Sequence, residues 1–161
     1  MSIAEWERAC RITKVIQEDP NGCGVACLAM VSKTDYAEAR LTFLSYGFGS
    51  EHRRHGKPPF SSNFAELILA LAEHGLDARM QRWKGWDQFD GIGIIKVQCG
   101  PGARKNAWHW VVAEKHEQFG VVIHDPDFHL PCFRAHPPEG VQCHPFDSYE
   151  PNGNWISIRQ H

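Results

Sequence analysis

The stretch V-I-Q-E-D-P-N-G-C-G-V-A-C-L-A-M-V, Val15 to Val31, decides how the rest of this chain is read. Asp19-Pro20-Asn21-Gly22 is turn chemistry, because proline fixes φ and Asn-Gly tolerates left-handed backbone. After the turn the residues V-A-C-L-A-M-V are apolar nearly all round, the pattern of a buried helix. Cys23 therefore opens a helix and lies between Gly22 and Gly24. A thiol in the first turn faces the positive end of the helix dipole, which favours thiolate over thiol. Gln17 precedes it by six residues. Its side-chain amide can supply one donor of an oxyanion hole, and the backbone N–H of Cys23 the other.

A cysteine nucleophile also needs an imidazole base oriented by a third group. W-H-W-V-V offers His109 at the head of a strand, and V-V-I-H-D-P offers Asp125 sixteen residues later. His116 and His124 are rival bases on the residues alone, and Asp127 is a rival for Asp125. A simpler role is open to each residue: a buried structural cysteine, a strand histidine, a turn aspartate. The order Gln, Cys, His, Asp resembles that of papain-like cysteine hydrolases. More narrowly, Q-x(5)-C-G-x-A-C-L-A-M-V, then H-x-V-V, then D-P resembles the bacteriocin-processing peptidases, family 39 of the cysteine peptidases. The likeness runs from about Val15 to Pro126. It includes the segment F-A-E-L-I-L-A-L-A-E-H-G-L, which is similar to the family's middle helix and the strand after it.

That resemblance implies a papain-like α+β fold with a helical half packed on an antiparallel sheet. It implies Cys23 as nucleophile, His109 as base, Asp125 as orienting group and Gln17 in the oxyanion hole. Its substrates are leader peptides cut after a double glycine, and no cofactor or metal is expected. Departures are visible. The family carries an acidic residue before the cysteine where this chain has Gly22, residues 47 to 62 read as an insertion, and the tail after Pro126 matches nothing in the family. The same triad in an effector or phage protein also suits a deamidase, acyltransferase or isopeptidase. An inactive papain-like module that binds a peptide is the reading from a different class.

With 161 residues the chain has the length of one domain with a substantial core, taken here as 1–161. A formal charge of −2 gives no footing for general nucleic-acid binding. No apolar run reaches bilayer length, and M-S-I-A-E-W-E-R lacks the hydrophobic region of a signal peptide. The expectation is a free-standing cytoplasmic hydrolase with a peptide or protein substrate. Six cysteines are an even number, yet without an export signal free thiols are expected rather than disulfides.

Local patterns complete the reading. A short helix or arm is expected over the first dozen residues, a helix after Asp35, and another from Phe64 to His74, with Ser61-Ser62-Asn63 as cap and Gly75 as stop. L-D-A-R-M-Q-R-W, I-G-I-I-K-V-Q, W-H-W-V-V-A-E and G-V-V-I-H-D are strand candidates, the last two joined as an antiparallel hairpin through K-H-E-Q-F. Strand alternation is expected to turn one of Trp108 and Trp110 inward beside His109 and the other outward. Cys27, one turn beyond Cys23, reads as core packing rather than half of a metal pair. Cys132, His136, Cys143 and His144 are of zinc-ligand type but irregularly spaced, and read as exposed loop residues. The basic run E-H-R-R-H-G-K reads as a solvated loop, with a lid over the cleft as its functional alternative.

Overall fold

A computed structural model describes residues 3–49, 56–98 and 108–159. Four helices come first: α1 (Ile3–Ala9), α2 (Cys23–Ser32), α3 (Tyr36–Ser45) and α4 (Phe64–Glu73). Six strands follow: β1 (Asp77–Arg82), β2 (Ile92–Val97), β3 (His109–His116), β4 (Gly120–His124), β5 (Cys132–Phe133) and β6 (Pro151–Arg159). They form one sheet in the order β1-β6-β2-β3-β4-β5, with every neighbouring pair antiparallel. This is the expected α+β architecture, helices packed on an antiparallel sheet.

The helices begin where their caps dictate. The Asp35 carboxylate accepts the Glu38 N–H at 2.8 Å and starts α3. Asn63 and Glu66 exchange bonds in a capping box at the head of α4, each satisfying a donor the helix leaves open. α4 ends at Glu73 with His74 as its C-cap, and the following Gly75 has φ +74°, a conformation glycine adopts without strain. α2 runs along one face of the sheet. Every residue from Val25 to Val31 is at most 2% exposed, packed against Ile94, Trp110, Val112 and Ile156. Cys27 is part of that core, as its position implied. The opposite face carries Ile95, Val97, Val111, Ala113 and Ile123, covered by a cluster of Trp83, Trp86, Phe89 and Trp155.

Two features differ from the expectations. The tail contributes β6, a long strand inserted between β1 and β2, and the short edge strand β5. The W-I-S-I stretch within β6 alternates as a strand should: Trp155 and Ile156 are buried on opposite faces. Second, the segment from Gly47 to Ser62 is not simply solvated. Phe48 and Phe60 are both buried, and the Phe60 N–H donates to the Phe48 carbonyl at 2.8 Å, which clips the two ends together. Residues 50 to 55, with most of the basic run, lie outside the described residues.

The arm before α2 is held by a buried carboxylate. Glu114, on β3, is fully buried and accepts from Arg11 N at 3.0 Å, Ile12 N at 3.3 Å and His124 Nε2 at 2.8 Å. Burial alone would raise Glu114, but the bonds and charge of His124 and the two backbone donors outweigh it and hold Glu114 below its usual range. Stability from this group is present above its ordinary pKa and is lost as pH falls through the depressed folded value. Glu114→Ala leaves three donors without an acceptor, and we expect it to cost about 3–5 kcal/mol in urea titration. A loss under about 1 kcal/mol would show that the arm is fixed by other contacts.

Candidate functional site

Gly22 and Gly24 are required beside Cys23 for reasons of space. A Cβ on Gly22 would collide with the Tyr36 hydroxyl, and one on Gly24 would meet Ser62 Oγ. Tyr36 is fixed there by donating to Asp19 Oδ2 at 2.6 Å, and Arg40 Nε reaches the same oxygen at 3.0 Å. The glycine that replaces the resembled family's acidic residue is thus the residue that this turn accommodates. Gly22 also supplies no side-chain cap. The first-turn N–H groups of α2, that of Cys23 among them, have no intrahelical acceptor and point toward the cleft end of the helix.

His109 opens β3, and Asp125 follows β4 immediately, so the β3–β4 hairpin brings the two together across sixteen residues of sequence. His109 Nε2 and Asp125 Oδ1 are 2.7 Å apart; because an ionised carboxylate only accepts, Nε2–H donates. Cys23 lines the same cleft as His109 and is close enough to act on the ring's titration. Burial would push His109 down. The Asp125 bond, the bond and charge of Cys23, and the charge of Asp125 together win, and they raise it from the ordinary 6.5 to about 10. For Asp125, burial raises while the His109 bond and charge, the Tyr149 hydroxyl and the Asp127 N–H lower; the net direction is down.

Asp125 is itself 1% exposed and well held. Oδ1 also accepts the Asp127 N–H at 2.8 Å, and Oδ2 accepts the Tyr149 hydroxyl at 2.6 Å. His144 Nε2 lies 3.1 Å from the same hydroxyl; with the Tyr149 proton committed to Asp125, His144 is the donor. Burial keeps His144 below its ordinary value, and its Nδ1 is buried without a partner. Tyr149 and His144 are the residues of this network that motif reading did not assign. Both lie in the tail, where no local pattern links them to a hairpin more than fifteen residues upstream.

Gln17 and Cys23 line one cleft of about 280 Å³ with His109, Trp108, Trp110, Lys96, Ser61, Ser62 and Asp127. Gln17 N–H donates to Pro126 O at 2.8 Å, which ties the arm to the Asp125 loop. Its side-chain Nε2 is 3.3 Å from the carbonyls of both Asp19 and Pro20, and its Oε1 is buried without a partner. Wider hollows of about 480 and 840 Å³ lie elsewhere, one bordered by Trp83, Phe89 and Trp155 and the other by Arg11, His116 and His136. Neither contains a comparable set of reactive side chains.

The rival histidines are committed away from the cleft. His124 is bound to Glu114, and His116 Nε2 lies 3.0 Å from the Ala9 carbonyl. Asp127 borders the cleft but contacts Asp125 through its backbone N–H. Of the indoles, Trp110 is 5% exposed and Trp108 47%, one in and one out. Alternation is not the cause, since residues two apart share a face. Both rings stack on Lys96, and Trp108 is exposed because it precedes β3, at the sheet's end.

Among the described residues, the group gathered as a metal would require is Cys10, Glu114 and His124, with ligand atoms within 4.8 Å of one another. Glu114 there is already saturated by two backbone donors and His124, so the cluster reads as the anchor of the arm. The tail residues do not gather as a ligand set, and two of them are not exposed as expected: Cys132 is in the core and buried His144 serves Tyr149, while His136 and Cys143 are exposed. Cys10, Cys23, Cys27, Cys132 and Cys143 are free thiols. No helix among the described residues is long and apolar enough to cross a membrane.

No protein-family model and no curated protein sequence matches the chain. Among solved structures it is similar to the peptidase domain of Streptococcus ComA, a bifunctional ABC transporter involved in a quorum-sensing pathway. The TM-score is 0.61 at 18% identity, over 92% of this chain and 98% of that one. At that identity the likeness carries the fold: the helices on a six-stranded antiparallel sheet are arranged as in that peptidase domain.

Proposed function

We propose that this chain, as a single domain, is a papain-like cysteine peptidase of the bacteriocin-processing type. The observation that carries the reading is the His109 ring, bonded to Asp125 at 2.7 Å and sharing one cleft with Cys23 and Gln17. The fold shared with the ComA peptidase domain supports it.

In this reading the Cys23 thiolate attacks an amide carbonyl, and charge develops on its oxygen. The Cys23 N–H and the Gln17 amide stabilise that charge; for Gln17 this exchanges one of two long 3.3 Å bonds for a charge-assisted one. His109, held protonated by its two anionic neighbours, gives its proton to the leaving amine as the C–N bond breaks. Water activated by the now neutral ring then hydrolyses the thioester and restores the thiolate. Asp125 keeps Nε2 protonated, so the other nitrogen faces the reacting atoms. Tyr149 and the Asp127 N–H hold the carboxylate in place.

The large indole of Trp108 beside the cleft favours small residues at the cut, which is a constraint that glycine satisfies best. The test is a peptide panel varying the two residues before the scissile bond, run with wild type and Cys23→Ala. Cleavage strongest at Gly-Gly, and absent in Cys23→Ala, is the expected result. A reactive Cys23 with no turnover of any linear peptide transfers the assignment to deamidation, acyl transfer or isopeptide cleavage. An unreactive Cys23 makes the chain a binding module.

A further inference from the structure

Lys96 stands in this cleft without an ion-pair partner among the described residues. It lies on β2 directly opposite Trp110 of β3, at the end of the sheet where His109 begins its strand. Its ammonium is 4.7 Å from the Trp108 ring centre, 5.5 Å from Phe64 and 6.0 Å from Trp110. Phe64 and Trp110 are themselves packed edge to face at 5.0 Å, so the cage is rigid. Aromatic faces attract a cation and shield it from water, but they do not neutralise it. Among the described residues no carboxylate forms an ion pair with Lys96. The acids nearby are committed or distant: Asp125 is spent on His109 and Tyr149, and the Asp127 carboxylate, which borders the same cleft, is beyond ion-pair reach of Lys96. His109, the other base of the cleft, has its own carboxylate partner in Asp125 at 2.7 Å.

A half-buried lysine whose long stem alone packed against rings would send its ammonium out to solvent. Here the ammonium itself is held over the rings, on the wall of the cleft that also contains Cys23. We propose that Lys96 is a specificity residue that receives a carboxylate of the substrate close to the scissile bond. This deepens the peptidase reading and rests on it. Two sources supply that chemistry: an aspartate or glutamate side chain flanking the cut, or the free C-terminus of a short substrate. Desolvation by the three rings makes the ion pair stronger than one on an open surface.

The test separates the lysine from the peptidase reading. Cys23 is alkylated with iodoacetate and, in parallel, with neutral iodoacetamide, and the ratio of the two rates is read by peptide mapping. The neutral reagent reports an intact site in each variant, and the ratio reports the local cation. Lys96→Gln is expected to lower the ratio by about three- to tenfold, Lys96→Glu to lower it further, and Lys96→Arg to keep it near wild type. A ratio unchanged in both Lys96→Gln and Lys96→Glu overturns the proposal, whether or not the protein cuts peptides. Peptide pairs then identify the source. Glu against Gln beside the cut, and free against amidated C-termini, are compared as kcat/KM in wild type and Lys96→Gln. A preference for either acid that disappears in Lys96→Gln supports the assignment and names the carboxylate. Wild type that cleaves both members of each pair equally overturns it as a statement about substrate. Failure of every peptide to turn over counts against the peptidase reading instead, and the alkylation ratio still decides Lys96.

Discussion

His109→Ala is expected to lower peptide turnover at neutral pH by roughly three to four orders of magnitude and to remove the preferential alkylation of Cys23. Both effects come from one loss. In the proposed mechanism the imidazole is the proton donor to the leaving amine and also the partner that activates Cys23. The cysteine inventory gives this experiment an internal reference. Cys27 and Cys132 are fully buried and shielded from reagent, whereas Cys143 is exposed and has no such partner. In the wild type, limited iodoacetamide near pH 7 should label Cys23 ahead of Cys143; in His109→Ala the order should reverse. Equal labelling of Cys23 and Cys143 in the wild type would mean that the ring does not activate the thiol. His109 is half-buried at a strand end, so the substitution opens space toward the cleft rather than a void in the core. A folded variant with lost reactivity is therefore the expected combination.

Asp125→Asn should act mainly through pH. In the wild type His109 stays protonated up to about pH 10, and the alkaline limb of kcat/KM should fall there. Asparagine can still accept the Nε2–H bond but carries no charge, so the limb should move at least a unit toward neutrality, with turnover at pH 7 down by about two to four orders of magnitude. An alkaline limb that stays in place would remove Asp125 from the triad. The stability consequences have opposite signs for the two partners. His109 is raised, so its contribution is complete below 6.5 and is lost as pH rises through about 10. Asp125 is depressed, so its contribution is present above 3.8 and is lost as pH falls through its lower folded value. A stability profile of the wild type that is flat between neutral pH and 10.5, and identical in Asp125→Asn, would contradict the pairing. Tyr149 makes the asparagine variant informative structurally as well, because its hydroxyl can donate to the amide oxygen only if the amide turns away from His109.

Gly22 illustrates how a departure from a motif is resolved. On sequence it is a missing acidic residue and a mark against the resemblance. In the fold the Tyr36 hydroxyl fills the volume that a side chain there would need, and Asp19 three residues earlier provides the carboxylate that fixes Tyr36 and Arg40. The acid of this turn bonds outward to α3, and the glycine beside Cys23 keeps the helix end open.

What the residues alone determined is what local chemistry can carry. The all-apolar run after Cys23 required a buried helix, Asp35 and Asn63 required helix starts, and the strand–turn–strand pattern around K-H-E-Q-F placed His109 and Asp125 on one hairpin. A hairpin couples positions sixteen apart through a short connection, so the pairing of base and carboxylate is nearly a local property. Tertiary structure decided the rest. β6 pairs at once with β1 and β2, strands that end some fifty to seventy residues before it, and no local periodicity specifies which gap in a sheet a returning strand will fill. Tyr149 reaches Asp125, with His144 behind it, because that return leads past β4, and Lys96 meets three aromatic rings because β2, β3 and α4 converge at one end of the sheet. Such contacts depend on where distant segments close, and on which buried polar groups then find one another.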